Sequence, residues 1–365
     1  MKKYLILALA MVAMLASCNK TKQFNVNVNL DNSNGQTVYL AKIVDGNAMN
    51  TVGIDTAVIA DNKAVLTAKC EDPQDVYVVS FKDNMMNIIN LFPENQDVTI
   101  TGDFEDFIHL DTKGSATQNQ YNEYLKNLTT YIDPFLEIMP EYENAMNSGD
   151  SIEFAKYEEK LKIIMDDYNN YRMDFIKNHP DSYMAHFLLN ESKYDFEFDD
   201  VKEIAESFTT ESEYSKRIKE YVEQNARVEV GQPFIDFTLQ TIDGKDINLG
   251  EVIKNNKVTL VDFWASWCGP CRNENPNVVA AYNKFHDKGL EIVGVSVDKS
   301  EKSWLKAVEE DGLPWTQLRD TEDKVAQDYV IVYIPSNFIF DQNGVIIAKN
   351  LRGEELEAKL TELLK

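Results

Sequence analysis

Cysteine is scarce in this chain of 365 residues: there are four, at positions 18, 70, 268 and 271. So few excludes a fold stapled by a disulfide framework. Histidine is equally rare, also four, and no second close cysteine pair accompanies Cys268 and Cys271, which argues against a zinc site. Positive charge is in deficit, with 36 Lys and Arg against 61 Asp and Glu and a net charge of −25. Such a surface repels phosphate backbones, so nucleic acid is not an expected partner. Long apolar runs are missing as well. The one near-continuous run, Leu5 to Ala16, is too short to cross a bilayer.

What is present begins with that run. Lys2 and Lys3 precede it and Leu15-Ala16-Ser17-Cys18 ends it, an arrangement that reads as an export signal and resembles a bacterial lipobox. The resemblance implies cleavage after residue 17, a lipid on Cys18 and a lipid-anchored place in the cell envelope; Asn19-Lys20-Thr21-Lys22 carries no acidic run of the kind associated with surface display, so the anchor is expected to face the periplasm. With Cys18 acylated, Cys70 has no obvious partner and reads as a small buried hydrophobe in a β-rich segment.

Three further regions follow. Residues 18–112 are β-rich, opening with the strict alternation Phe24-Asn25-Val26-Asn27-Val28-Asn29-Leu30, and further strands are expected at 37–43, 64–68, 76–81, 87–92 and 98–101. A small antiparallel sandwich or open barrel fits them. The region resembles the β-rich domain of unassigned function that precedes many thioredoxin-like lipoproteins of Bacteroides-type bacteria. Residues 113–228 read as helical, with 24 acidic against 12 basic side chains between Ser115 and Arg227, so their outer faces are solvated. Phe154, Tyr157, Leu161, Ile164, Tyr168, Tyr171 and Phe175 recur at spacings of three and four and draw one packing seam along a helix. Pro134 and Pro140 are expected to break helices, and Thr210 with Glu213 to form a capping box. Residues 229–365 alternate strand and helix patterns, which predicts an α/β domain: a central sheet with helices on both faces.

The chemistry lies in Trp267-Cys268-Gly269-Pro270-Cys271, which follows the apolar strand Val258 to Trp264 and starts a helix. Two cysteines at this spacing close a small disulfide ring. The first sits where unpaired N–H groups and the helix dipole favour an anion, which draws its pKa from about 8.5 toward neutrality. Cys268 is therefore the candidate nucleophile and Cys271 the resolving thiol. The cofactor is the cysteine pair itself.

The run from Val261 to Arg272 is close to the thioredoxin signature. Trp267 to Pro276 matches the W-C-x-P-C-[KR]-x-E-x-P pattern of the TlpA/ResA-like extracytoplasmic thioredoxins, and the chain is identified as a member of that family. The resemblance implies a thioredoxin-like fold from about residue 230 onward and thiol-disulfide oxidoreductase activity. It places Asp262 at the buried carboxylate that exchanges a proton with the inner cysteine, and Glu274 at the acid that ResA-like members hold near their cysteines. Carrying both departs from either pattern alone and leaves open which one moves the proton. Ile334-Pro335 matches the cis-proline site, whose preceding backbone is left to pair with an extended substrate, and Trp267, Gly269 and Pro270 complete the expected substrate surface. Gly-Pro between the cysteines resembles reducing thioredoxins, so disulfide-containing envelope proteins are the expected substrates and a membrane thiol donor the expected source of electrons. A disulfide oxidase or isomerase, and a ligand-binding lipoprotein with a secondary redox domain, are the alternatives.

Overall fold

The computed structural model describes residues 22–82 and 84–365. The signal segment and Cys18 lie outside the described residues. The chain divides into two compact units, one through Ile218 and one from Lys219.

The first unit opens with β1 (Lys22–Asp31), β2 (Thr37–Ile43), β3 (Thr51–Val58), β4 (Lys63–Cys70), β5 (Tyr77–Phe81), β6 (Asn84–Leu91), β7 (Val98–Asp103) and β8 (Asp111–Lys113). They form two four-stranded sheets, ordered β4-β1-β7-β8 and β3-β2-β5-β6. The period-two pattern of β1 turns Phe24, Val26, Val28 and Leu30 inward, where they join one core with Val38, Leu40, Tyr77, Val79 and Phe81. Strand β3 lacks a clear alternation in sequence because it is an edge strand whose residues are largely exposed, so burial imposes no pattern on it.

Helices α1 (Ala116–Ser148), α2 (Ser151–Asn178), α3 (Tyr183–Ser192), α4 (Phe198–Ser207) and α5 (Glu213–Ala226) follow. Two sequence expectations are corrected here. Helix α1 runs unbroken through Pro134 and Pro140. Both prolines are exposed, so water reaches the carbonyls left unpaired one turn earlier, while the opposite side of α1 packs on α2. The cap of α5 is Ser212 rather than Thr210: its hydroxyl accepts from the Ser215 amide at 3.0 Å, while the Thr210 hydroxyl donates to the Asp181 carbonyl at 2.8 Å. The aromatic seam falls on α2 as read, half-buried, with Tyr171 and Phe175 against Tyr124 of α1 and Phe154 against Tyr142.

The second unit carries the hairpin β9 (Thr238–Gln240) and β10 (Asp246–Asn248), then α6 (Leu249–Asn255), β11 (Val258–Trp264), α7 (Gly269–Phe285), β12 (Leu290–Ser296), α8 (Glu301–Asp311), β13 (Thr316–Arg319), α9 (Lys324–Asp328), β14 (Ser336–Asp341), β15 (Ile346–Lys349) and α10 (Gly353–Leu363). Its five-stranded sheet is ordered β13-β12-β11-β14-β15, with β11, β12 and β13 parallel and β14 antiparallel to β11. Every residue of β11 is buried, as a central strand covered on both faces requires. Leu260 and Trp264 face the core built with α7, α8 and α10. Val261 and Phe263 face the one built with α6 and α9. By period two, Asp262 shares the face of Leu260 and Trp264, beneath the helix that begins at the cysteine motif. This is the thioredoxin-like fold.

Phe24 is fully buried in the first core and stacks edge-on against Tyr77. Phe24→Ala is expected to cost about 3–5 kcal/mol in a urea titration followed by far-UV circular dichroism, and a loss under about 1 kcal/mol would contradict a packed core there.

Candidate active site: a disulfide at a helix start

Strand β11 delivers the chain to the site through Ala265, Ser266 and Trp267. That connection is held from below: the Ser266 amide and hydroxyl donate to the Asp298 carboxylate at 2.7 and 2.6 Å, and the Ser296 hydroxyl donates to the same carboxylate at 2.8 Å. Asp298 is buried just beyond β12, so the C-terminal ends of β11 and β12 are tied together just before the cysteines. Arg272 secures the other side, with its guanidinium on both oxygens of Asp311 and Nη1 donating to the Ser266 carbonyl at 3.3 Å. On the face below, Trp264 donates its indole N–H to Gln317 at 3.2 Å. The Gln317 amide occupies the space over Gly294, where a β-carbon would come within 2.5 Å of it.

Cys268 is the N-cap of α7, and Cys268 and Cys271 are joined as a disulfide. The Cys271 amide donates to the Cys268 sulfur at 3.1 Å, the position from which a helix N-terminus stabilises a thiolate. Cys268 is 5% exposed and Cys271 1%. Trp267, Gly269 and Pro270 are exposed around them, Trp267 at 68%. Nothing crowds Gly269 within 4 Å of an added β-carbon, so no steric demand accounts for a glycine there. The Ile334-Pro335 peptide is cis, and the Ile334 carbonyl oxygen lies 3.7 Å from the Cys268 sulfur. Val332 and Tyr333, both exposed, precede it.

The two acids have different surroundings. Asp262 is buried, 6% exposed, and burial pushes its carboxyl up to about 7; negative charge on Glu274 adds to the rise and Arg352 opposes it. Glu274 is half-buried on α7, where its carboxylate accepts the Gly353 amide at 2.8 Å and the Asn277 side chain at 3.0 Å. It thus caps the start of α10. Sequence reasoning assigned no role to Asp298, Arg272 or Arg352. Asp298 just after a strand and Arg352 just before a helix read as solvated turns, Arg272 reads as a solvated helix residue, and only the tertiary contacts reveal the difference.

Cys70 is buried in the first unit, a free thiol whose S–H donates to the Asp72 carbonyl at 3.1 Å, and burial pushes it up. Such a thiol is held protonated and unreactive. Among the described residues no group of three or more His, Cys, Asp or Glu side chains converges as a metal site would require.

The buried acid makes stability depend on pH. As pH rises from about 4 toward 7 the unfolded chain loses the Asp262 proton before the folded chain does, so the folded state binds more protons and stability falls across that window, by on the order of 4 kcal/mol in total. Asp262→Asn is expected to stabilise the oxidised second unit at about pH 8 and to change it little near pH 4, read by tryptophan fluorescence in urea. An equal effect at both pH values would contradict the burial argument.

Comparison with known proteins agrees with this geometry. Residues 230–349 match the AhpC/TSA family and residues 24–121 match the Domain of unknown function (DUF4369). The thiol-disulfide oxidoreductase ResA of Bacillus cereus is 27% identical over 145 residues, 40% of this chain and 82% of that protein. The ResA of Geobacillus kaustophilus is 29% identical, covering 38% and 81%. Among solved structures, the thioredoxin domain of a thiol-disulfide oxidoreductase from Bacteroides vulgatus is 36% identical over 38% of this chain and 99% of its own, with a TM-score of 0.36. A thiol:disulfide interchange protein from Bacteroides sp. is also 36% identical, over 38% and 91%, with a TM-score of 0.36. The AhpC/TSA match over residues 230–349 and the ResA matches over about four-fifths of those proteins make the second unit a thioredoxin-like domain and the chain similar to the ResA thiol-disulfide oxidoreductases.

Proposed function

We propose that the protein is a protein disulfide reductase of the cell envelope, anchored by a lipid on Cys18 and facing the periplasm. The observation that carries the redox part of this reading is the Cys271 amide donating to the Cys268 sulfur at the start of α7, with a carboxylic acid of near-neutral pKa buried on the sheet face beneath that helix. In the reduced protein the Cys268 thiolate attacks one sulfur of a substrate disulfide. An S–S bond forms to Cys268, and the other substrate sulfur leaves as a thiolate and takes up a proton. Cys271 then passes its proton to the Asp262 carboxylate and attacks the Cys268 sulfur, which releases the second substrate thiolate. Two electrons move from the cysteine pair to the substrate, and a membrane dithiol returns them. The Gly353 and Asn277 bonds engage Glu274, which favours Asp262 as the group that takes the proton. Exposed Trp267, Val332 and Tyr333 around the sulfur suit an extended apolar segment beside the substrate cysteine, as an unfolded envelope protein such as an apocytochrome would present.

With Cys271→Ser, the mixed disulfide has no internal resolution, so dithiothreitol-sensitive adducts with substrate proteins are expected on a non-reducing gel, and Cys268→Ser should form none. Adducts through Cys271 in the Cys268→Ser variant would reverse the two roles. The reduction potential of the pair is expected below about −220 mV, and a value near −120 mV would replace reductase with oxidase. Absence of insulin-disulfide reduction by the soluble form, given a good thiol donor, would favour a ligand-binding lipoprotein.

A further inference from the structure

Two carboxylates, Asp262 from β11 and Glu274 from α7, are close enough that the charge of one affects the other, and Arg352 opposes the resulting rise at Asp262. Arg352 comes from the turn between β15 and α10. That turn is fastened to β14: the Asn337 side chain donates to the Leu351 carbonyl at 2.7 Å and accepts the Leu351 amide at 3.1 Å, and the Asn350 amide donates to the Asn337 carbonyl at 2.8 Å. Asn337 is the residue of β14 paired with Asp262. Two residues beyond Leu351, the Gly353 amide is the one that holds Glu274. Reaching in from the surface, Arg352 donates Nη2 to the Pro335 carbonyl at 2.5 Å. One short turn therefore touches both acids' surroundings and the proline beside the substrate surface.

We infer that Arg352 is a positioning residue for the proton-transfer step: fixed to the Pro335 carbonyl, its guanidinium supplies the positive charge that lets Asp262 work as a base near neutral pH although a second carboxylate lies beside it. The inference rests on the assignment of Asp262 as proton acceptor. The charged groups acting on Asp262 are Glu274 from α7 and Arg352 from the turn before α10; β12 and β14 present Gly294 and Asn337, which carry no charge.

The test is a charge series, Arg352→Lys, Arg352→Gln and Arg352→Glu, in the chain otherwise intact. The Asp262 carboxyl is titrated by carbon NMR in the oxidised protein, where neither cysteine of the active pair titrates alongside, and the pH profile of mixed-disulfide resolution is measured in single turnover. The Asp262 midpoint is expected to stay near wild type in Lys, to rise by about half a pH unit or more in Gln, and to rise further in Glu, with the resolution profile moving by the same amount. A purely structural arginine gives no order by charge. Unchanged Asp262 midpoints in Gln and Glu, in variants that keep the wild-type circular dichroism and melting temperature, overturn the inference. Midpoints that rise while the resolution profile stays still uphold the electrostatic link and overturn instead the assignment of Asp262 to proton transfer.

Discussion

A carboxylate buried within a central strand is the constraint on which the second unit depends. Every other side chain of β11 is neutral, and all are buried, so the fold accepts Asp262 only by letting its carboxyl hold a proton well above the ordinary range. A neutral isostere would pack there at lower cost. In the proposed mechanism the acid provides a proton site on the face beneath α7, at a depth where its affinity falls near the pH at which thiols and thiolates exchange. Stability is thereby exchanged for chemistry at one position.

The rest of the site keeps the cysteine turn in register with that acid. Asp298 fastens the incoming strand, the Arg272–Asp311 pair fastens the first turn of α7 to α8, and the Asn337 side chain fastens the turn before α10. None of these groups touches the disulfide. Each removes a way in which the loop could drift, and the bonds are made by charged or amide groups at least partly withdrawn from water, where such contacts hold geometry most firmly.

How much of this was legible depends on whether the physics was local. The cysteine turn, the helix it starts, the buried strand before it and the alternating β1 strand are all set by short-range rules of period, capping and spacing, and the structure places them as read. Pro134 and Pro140 misled because their effect depends on whether water reaches the carbonyls they release, a matter of which side of α1 they occupy. Thr210 misled because Ser212 lay closer to the helix and took the cap. Arg352 and Asp298 gave no signal: their partners are 90 and 32 residues away along the chain, at Asp262 and Ser266 respectively, and no window of sequence contains both members. Glu274 was found by family pattern, but its capping of α10 required the fold.

The placement of Cys268 at the start of α7, with Cys271 one turn further in, has a kinetic corollary. Sulfur exchange proceeds with three sulfur atoms nearly in line, so an attacker on the oxidised pair must approach along the axis from Cys271 through Cys268. The far end of that axis lies in the core around Cys271, and the near end lies at Cys268, next to exposed Trp267 and 3.7 Å from the Ile334 carbonyl. In the proposed cycle, electron donor and substrate therefore use the same approach and cannot be engaged together. The expected kinetics are ping-pong: each partner competes with the other for the one open end, and an excess of either, in its product form, slows the cycle by occupying it.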